Sequence, residues 1–134
     1  MKIAIGADHA GYDLKKVVIN FLTENGHDVE DFGCHSSESI DYPDYAHPVC
    51  ESIEKGNSDR GVLICGSGNG INMTANKHQK VRSALCWQED IAEMARLHNN
   101  ANIIALPARY ISEELALNCI DIFLKTDFEG GRHA

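Results

Sequence analysis

Val62-Leu63-Ile64-Cys65-Gly66-Ser67-Gly68-Asn69-Gly70 is the stretch that sets the architecture of this chain. A short apolar run bounded by glycine reads as a buried strand. It ends at a cysteine that opens a loop with glycine at every second position. Those glycines let the backbone turn tightly and approach a ligand with no Cβ in the way. Residues 71–77 can then form a helix whose first amides point back at the loop. Such a nest of N–H groups suits an anion or a developing oxyanion. Cys65 at the strand end and Ser67 two residues on add a proton-transfer group and a hydroxyl.

Working outward, strand and helix alternate. Residues 2–6 read as a strand. Residues 12–25 carry Leu14, Val17, Val18, Phe21 and Leu22 on a helical face closed by Gly26. Residues 27–33 form a weaker strand, and 36–42 a polar loop. Pro43 opens a helix through Glu54 with Ala46, Val49, Cys50 and Ile53 on its apolar face. Arg60–Cys65 is the clearest strand. Residues 81–87 and 101–106 supply two more. A helix over 88–97 shows Ile91, Met94 and Ala95, and a last helix follows Ser112 as N-cap to residue 124. Strands alternating with helices imply right-handed βαβ units in a mostly parallel, five-stranded sheet covered on both faces: a doubly wound α/β domain. Ligands of such sheets bind beyond the carboxyl ends of the strands. Three clusters fall at such ends: Ala7-Asp8-His9-Ala10-Gly11, Cys65 to Gly70, and Pro107-Ala108-Arg109.

The totals narrow the function. The 134 residues, 43% apolar and 24% charged, suit one globular domain over 1–134. A formal net charge of −8 argues against a nucleic-acid or anionic-membrane surface, yet leaves room for a small phosphorylated ligand gripped by local arginines. No apolar segment approaches the roughly 20 residues that span a bilayer. The start, Met1-Lys2-Ile3-Ala4-Ile5-Gly6, reads as a strand and not as a signal peptide. Five cysteines with no C-x-x-C pair fit a reducing, cytoplasmic protein. Cys34, Cys50, Cys86 and Cys119 read as small buried hydrophobes, and only Cys65 stands apart.

The chemistry-bearing residues each have a plainer reading. Asp8 or His9 can simply cap the loop that follows the first strand, or form a hydrogen-bonding pair over the sheet edge. His98-Asn99-Asn100 can simply end a helix, or supply an acid or base beside an amide donor. His9, Cys65 and His98 lack close metal-ligand spacing. The glycine loop is neither a Walker A nor a dinucleotide fingerprint, since position 71 is Ile71. Cys65 fits a nucleophile or a general base, with a thiol pKa, near 8.5 by reference, that falls beside helix N-terminal amides.

Together these residues resemble the ribose-5-phosphate isomerase type B family, in the wider group that includes galactose-6-phosphate isomerase subunits. The matching pieces are residues 5–11, Asp41-Tyr42-Pro43, residues 65–71, Ala75-Asn76-Lys77, Arg82, His98-Asn99, Asn102, Arg109 and Glu129-Gly130-Gly131-Arg132-His133. The resemblance implies a Rossmann-like three-layer α/β/α sandwich, active without metal or organic cofactor. It implies a homodimer, sometimes a tetramer, with active sites shared between subunits. Carried over, Cys65 moves a proton between C1 and C2 of ribose 5-phosphate, and Ser67 shuttles a hydroxyl proton. His98, helped by Asp8, opens the sugar ring. Asn99 and the amides of Gly66, Ser67, Gly68, Asn69 and Gly70 stabilise the enediolate. His9, Arg109 and Arg132 hold the phosphate, and Tyr42 lines the sugar site. The family pattern carries a further arginine a few residues past Gly-Gly-Arg-His, whereas the sequence here reads to Ala134, so Arg132 is expected to bear more of the phosphate. A six-carbon sugar phosphate is the alternative substrate, and a non-enzymatic sugar-phosphate-binding protein the alternative class. Ketose formation from five- and six-carbon phosphates separates all three.

Overall fold

A computed structural model describes residues 1–33 and 43–133. In chain order the elements are β1 (Lys2–Ala7), α1 (Tyr12–Glu24), β2 (Asp28–Asp31), α2 (Pro43–Glu54), β3 (Arg60–Cys65), α3 (Asn69–Ala75), β4 (Ser83–Leu85), α4 (Glu89–Leu97), β5 (Ile103–Pro107) and α5 (Glu113–Lys125). Short 3-10 turns cover His9–Gly11 and Gly131–His133.

The strands form one sheet in the order β2-β1-β3-β5-β4. Every pairing is parallel. Successive strand side chains take opposite faces, and two cores result. Ile5, Ala7, Val62, Ile64, Ile104 and Leu106 pack against α1, α4 and α5. Ala4, Leu63, Cys65, Ile103 and Ala105 pack against α2 and α3. The outcome is the expected three-layer α/β/α sandwich. The chain leaves β1 toward β2 on one side and reaches β3 on the other, so order reverses between β1 and β3. That reversal opens a crevice at the carboxyl edge.

Beyond shifts of strand ends at β2 and β5, three details depart from the sequence reading. β4 is shorter than 81–87, and at its start side-chain amides hold the backbone. Asn102 accepts from Arg82 N–H at 2.9 Å and donates to Lys80 O at 2.8 Å. Asn76 does the same to both backbone groups of Ser83. α3 begins at Asn69, not at 71, because Gly68 turns the chain at φ +81, where a Cβ would also collide with the Leu85 side chain. In α4 the buried residues are Ala92, Ala95 and Arg96, while Met94 is 36% exposed.

Candidate active site at the carboxyl edge

The register brings the ends of the three central strands together: Ala7 faces Ile64 across β1 and β3, and Cys65 faces Pro107 across β3 and β5. Backbone bonds carry the ladder one step further. Asp8 N–H donates to Ile64 O at 3.1 Å, Ala108 N–H to Cys65 O at 2.8 Å, and Arg109 N–H to Gly66 O at 3.0 Å. These bonds fix where three side chains start. A cleft of about 270 Å3 lies above them, lined by Asp8, Cys65, Gly66, Ser67, Gly70, Arg109 and Tyr110.

Cys65 is 6% exposed and free, on the α2/α3 side of the sheet. Its Sγ accepts the Gly68 N–H at 3.2 Å. Burial pushes the thiol pKa up, and the Asp8 charge adds to that. The backbone N–H groups of Ile71, Gly68 and Ser67 pull it down, without overcoming burial. The sequence reading anticipated a thiol lowered by these amides. The amides act as expected, but removing the thiolate from water costs more. Ser67 is exposed and its Oγ accepts from Asn69 N–H at 3.3 Å. Asp8 caps the His9–Gly11 turn by accepting Gly11 N–H at 2.9 Å, so its plainer reading holds while it also lines the cleft. His9 is exposed on that turn.

Arg109 lies over Gly66: a Cβ there would stand 3.0 Å from Nη1 and 3.3 Å from Cζ. Glycine at 66 therefore keeps room for a guanidinium at the cleft wall. Tyr110, absent from the residues the sequence singles out, is 76% exposed at the same wall. Its signal was its place beside Arg109 at a strand end. A second cleft of about 310 Å3 shares Ser67 and Tyr110, and adds Asn69, Leu85, Trp87 and Pro107. A depression of about 430 Å3 at the amino edge exposes Lys2 beside Asp28 and Glu30, charges that suit an anion poorly.

His98, Asn99 and Arg132 are elsewhere. His98 caps the end of α4, with its N–H on Met94 O at 2.9 Å. Arg82 Nη1 donates to Asn99 O at 3.0 Å. Asn102 O, just before β5, accepts Gly61 N–H near the start of β3 at 2.9 Å. The polar tail returns to this amino edge: Glu129 N–H donates to Leu97 O at 3.1 Å, and Glu129 Oε2 is 3.8 Å from His98 Nε2. Exposed Arg132 follows three residues later. The five residues of β5, at about 3.3 Å each, separate the two groups by about 15 Å or more. The candidate residues of one chain thus fall into two groups, Asp8/Cys65/Ser67/Arg109 at one edge and His98/Asn99/Arg132 at the other. Tyr42 lies outside the described residues. Among the described residues no group of three or more His, Cys, Asp or Glu side chains is arranged to hold a metal ion, and no helix is long and apolar enough to cross a membrane.

The family model for ribose/galactose isomerases matches residues 3–134. The chain belongs to the ribose/galactose isomerase family. Ribose-5-phosphate isomerase B of Escherichia coli is 42% identical over 132 residues, spanning 98% of this chain and 89% of that protein. A ribose 5-phosphate isomerase structure from Thermotoga maritima superposes with a TM-score of 0.97 at 52% identity, covering 98% of this chain and 91% of that one. The Mycoplasma genitalium ribose-5-phosphate isomerase B structure with bound ribulose-5-phosphate gives 0.95 at 40% identity, covering 98% and 88%. Membership of the ribose/galactose isomerases makes the chain a sugar-phosphate isomerase, and the carboxyl-edge cleft is where its fold concentrates suitable groups.

Proposed function

We propose that Cys65 is the base through which this aldose–ketose isomerase interconverts D-ribose 5-phosphate and D-ribulose 5-phosphate. The observation that carries the reading is Cys65 Sγ beneath the amides of its own glycine loop, in one cleft with Asp8, Ser67 and Arg109. Isomerisation must remove a weakly acidic proton next to a carbonyl. In the open-chain aldose the Cys65 thiolate takes the C2 proton, and the electron pair moves to the carbonyl oxygen on C1. The enediolate meets the Gly66 and Gly70 amides of the loop, since the Ser67 and Gly68 N–H groups act on Cys65 Sγ and the Asn69 N–H on Ser67 Oγ. Ser67 moves a proton between the C1 and C2 oxygens, and the Cys65 thiol returns its proton to C1. Arg109 and His9 hold the phosphate, whose binding energy aligns the reacting carbons. Burial keeps the resting thiol protonated, so it must first pass that proton to solvent through the open cleft.

His98, Asn99 and Arg132 serve the cleft of a second copy. Partner His98 opens the ring, partner Asn99 donates to the enediolate, and partner Arg132 closes on the phosphate. Two things support this: the distance between the half-sites along one sheet, and the exposed rings of Trp87 and Tyr110 beside the cleft. At 47% and 76% exposure they offer an apolar rim for a second chain to cover. The four free, buried cysteines among the described residues suit a reducing cytoplasm. Ketose formation from ribose 5-phosphate, with allose 6-phosphate and galactose 6-phosphate alongside, tests the substrate. Faster turnover of either six-carbon sugar would replace the assignment.

A further inference from the structure

The mechanism above uses Arg109 and Arg132 and leaves Arg96 without a part. Arg96 lies on α4, 3% exposed, although its charge never leaves it under ordinary conditions. A buried guanidinium survives only where its donors are matched. Here Nε donates to Thr126 O at 3.0 Å, and Nη1 to Asn100 Oδ1 at 3.0 Å and to Ala101 O. The guanidinium carbon also stands 5.8 Å from the centre of the Phe123 ring. Burial lowers its pKa, with Arg60 adding to that and Asp127 opposing it.

Those acceptors are not scattered. Asn100 and Ala101 directly follow His98 and Asn99. Thr126 is the residue at which the chain leaves α5 for the tail that carries Glu129 and Arg132. Asn100 has φ +48, the one non-glycine residue with positive φ among the described residues. Such a conformation persists where its surroundings enforce it, and Arg96 holds its side chain. Glu129 closes the same unit from the tail, through Leu97 O and His98.

We infer that Arg96 is a positioning residue for the amino-edge half-site: one buried guanidinium ties the His98–Asn99 turn to the root of the Arg132 tail, so a second chain receives them as one rigid unit. This rests on the proposal that active sites are shared between subunits. Lysine at 96 keeps the charge but lacks the planar fork that reaches two segments at once. Arg96→Lys should therefore lose about tenfold or more in kcat/KM, with its own Cys65 half-site intact.

The test is pairwise co-expression with distinct tags. Cys65→Ala with Arg96→Lys should form mixed dimers holding one site with two sound halves, restoring about a quarter of wild-type activity. Arg96→Lys with His98→Asn should restore nothing, because both damage the same half. Asn100→Gly, which relieves the positive φ but removes the Arg96 acceptor, should fall in the same group as Arg96→Lys, and it stands in if the lysine variant does not fold. The inference is overturned if Arg96→Lys has wild-type kinetics. It is also overturned if neither Arg96→Lys nor Asn100→Gly is rescued by Cys65→Ala while His98→Asn is. If Cys65→Ala fails to rescue His98→Asn as well, the shared-site reading falls and takes the inference with it.

Discussion

Cys65 and His98 stand at opposite ends of the sheet: Cys65 faces Pro107 at the carboxyl end of β5, and His98 precedes its amino end. An isomerase that uses both must assemble them from two chains. At micromolar concentration the protein should sediment as at least a dimer, and specific activity should fall on dilution as subunits separate. An active monomer in sedimentation at assay concentration would contradict this.

The thiol of Cys65 should titrate high in the ligand-free protein. Burial pushes its pKa up, and Asp8 adds to that. Alkylation of Cys65 by iodoacetamide, located by peptide mass, should rise with pH through a midpoint above the ordinary thiol value of about 8.5. Asp8→Asn removes a carboxylate that disfavours the thiolate, so its midpoint should move down. Bound ribose 5-phosphate should slow the reaction at every pH. An Asp8→Asn midpoint at or above that of the wild type would count against the electrostatic account.

Arg109 sits in the space that glycine at 66 leaves open. Arg109→Ala should raise KM for the sugar phosphate and lower kcat, costing about 10- to 100-fold in kcat/KM. Arg109→Lys should fall between, since it keeps charge but loses the bidentate fork. Unchanged KM in Arg109→Ala would return this arginine to the solvated surface.

Stability should decline on the alkaline side. Burial foremost pushes Cys50 and Cys86 up to about 12 and Cys119 to about 11. Unfolded thiols titrate near 8.5. As pH rises past that value, the unfolded chain gives up protons that the folded state keeps, so unfolding becomes more favourable. The stabilisation is fully present below about 8.5 and is lost toward the folded values. Urea midpoints should drop between pH 7.5 and 10, and Cys86→Ala should show a shallower drop. Equal slopes would show that Cys86 contributes nothing to this dependence.

Much of this was legible in sequence, and the exceptions have physical causes. Arg60–Cys65 and Pro43–Glu54 are found with the bounds read from their patterns, because an apolar run and an N-terminal proline are local signals. β4 starts later than its apolar pattern suggests because the Asn102 side chain, 20 residues on from Arg82, takes the Arg82 N–H ahead of it. On α4, Ala95 is buried and Ile91 packs against the core as the pattern implies, whereas Met94 is exposed and a charged residue, Arg96, takes a core position beside Ala92. Asp8, Cys65, Ser67 and Arg109 were readable as one set since all follow strand ends. His98 and Asn99 join a helix end to the start of the next parallel strand, which already assigns them to the amino edge. That the tail carrying Arg132 returns to the same edge was not legible, because no local pattern says which edge a tail will meet.

The central claim is that Cys65 carries the proton, and single-site kinetics test it most directly. Ketose formation from ribose 5-phosphate should be compared between wild type and Cys65→Ala, with ribulose 5-phosphate binding measured by calorimetry on both. Loss of the general base should cut kcat by about a thousandfold and leave binding within a few-fold, because Arg109, His9 and the amide loop remain. Near-wild-type turnover by Cys65→Ala would contradict the account.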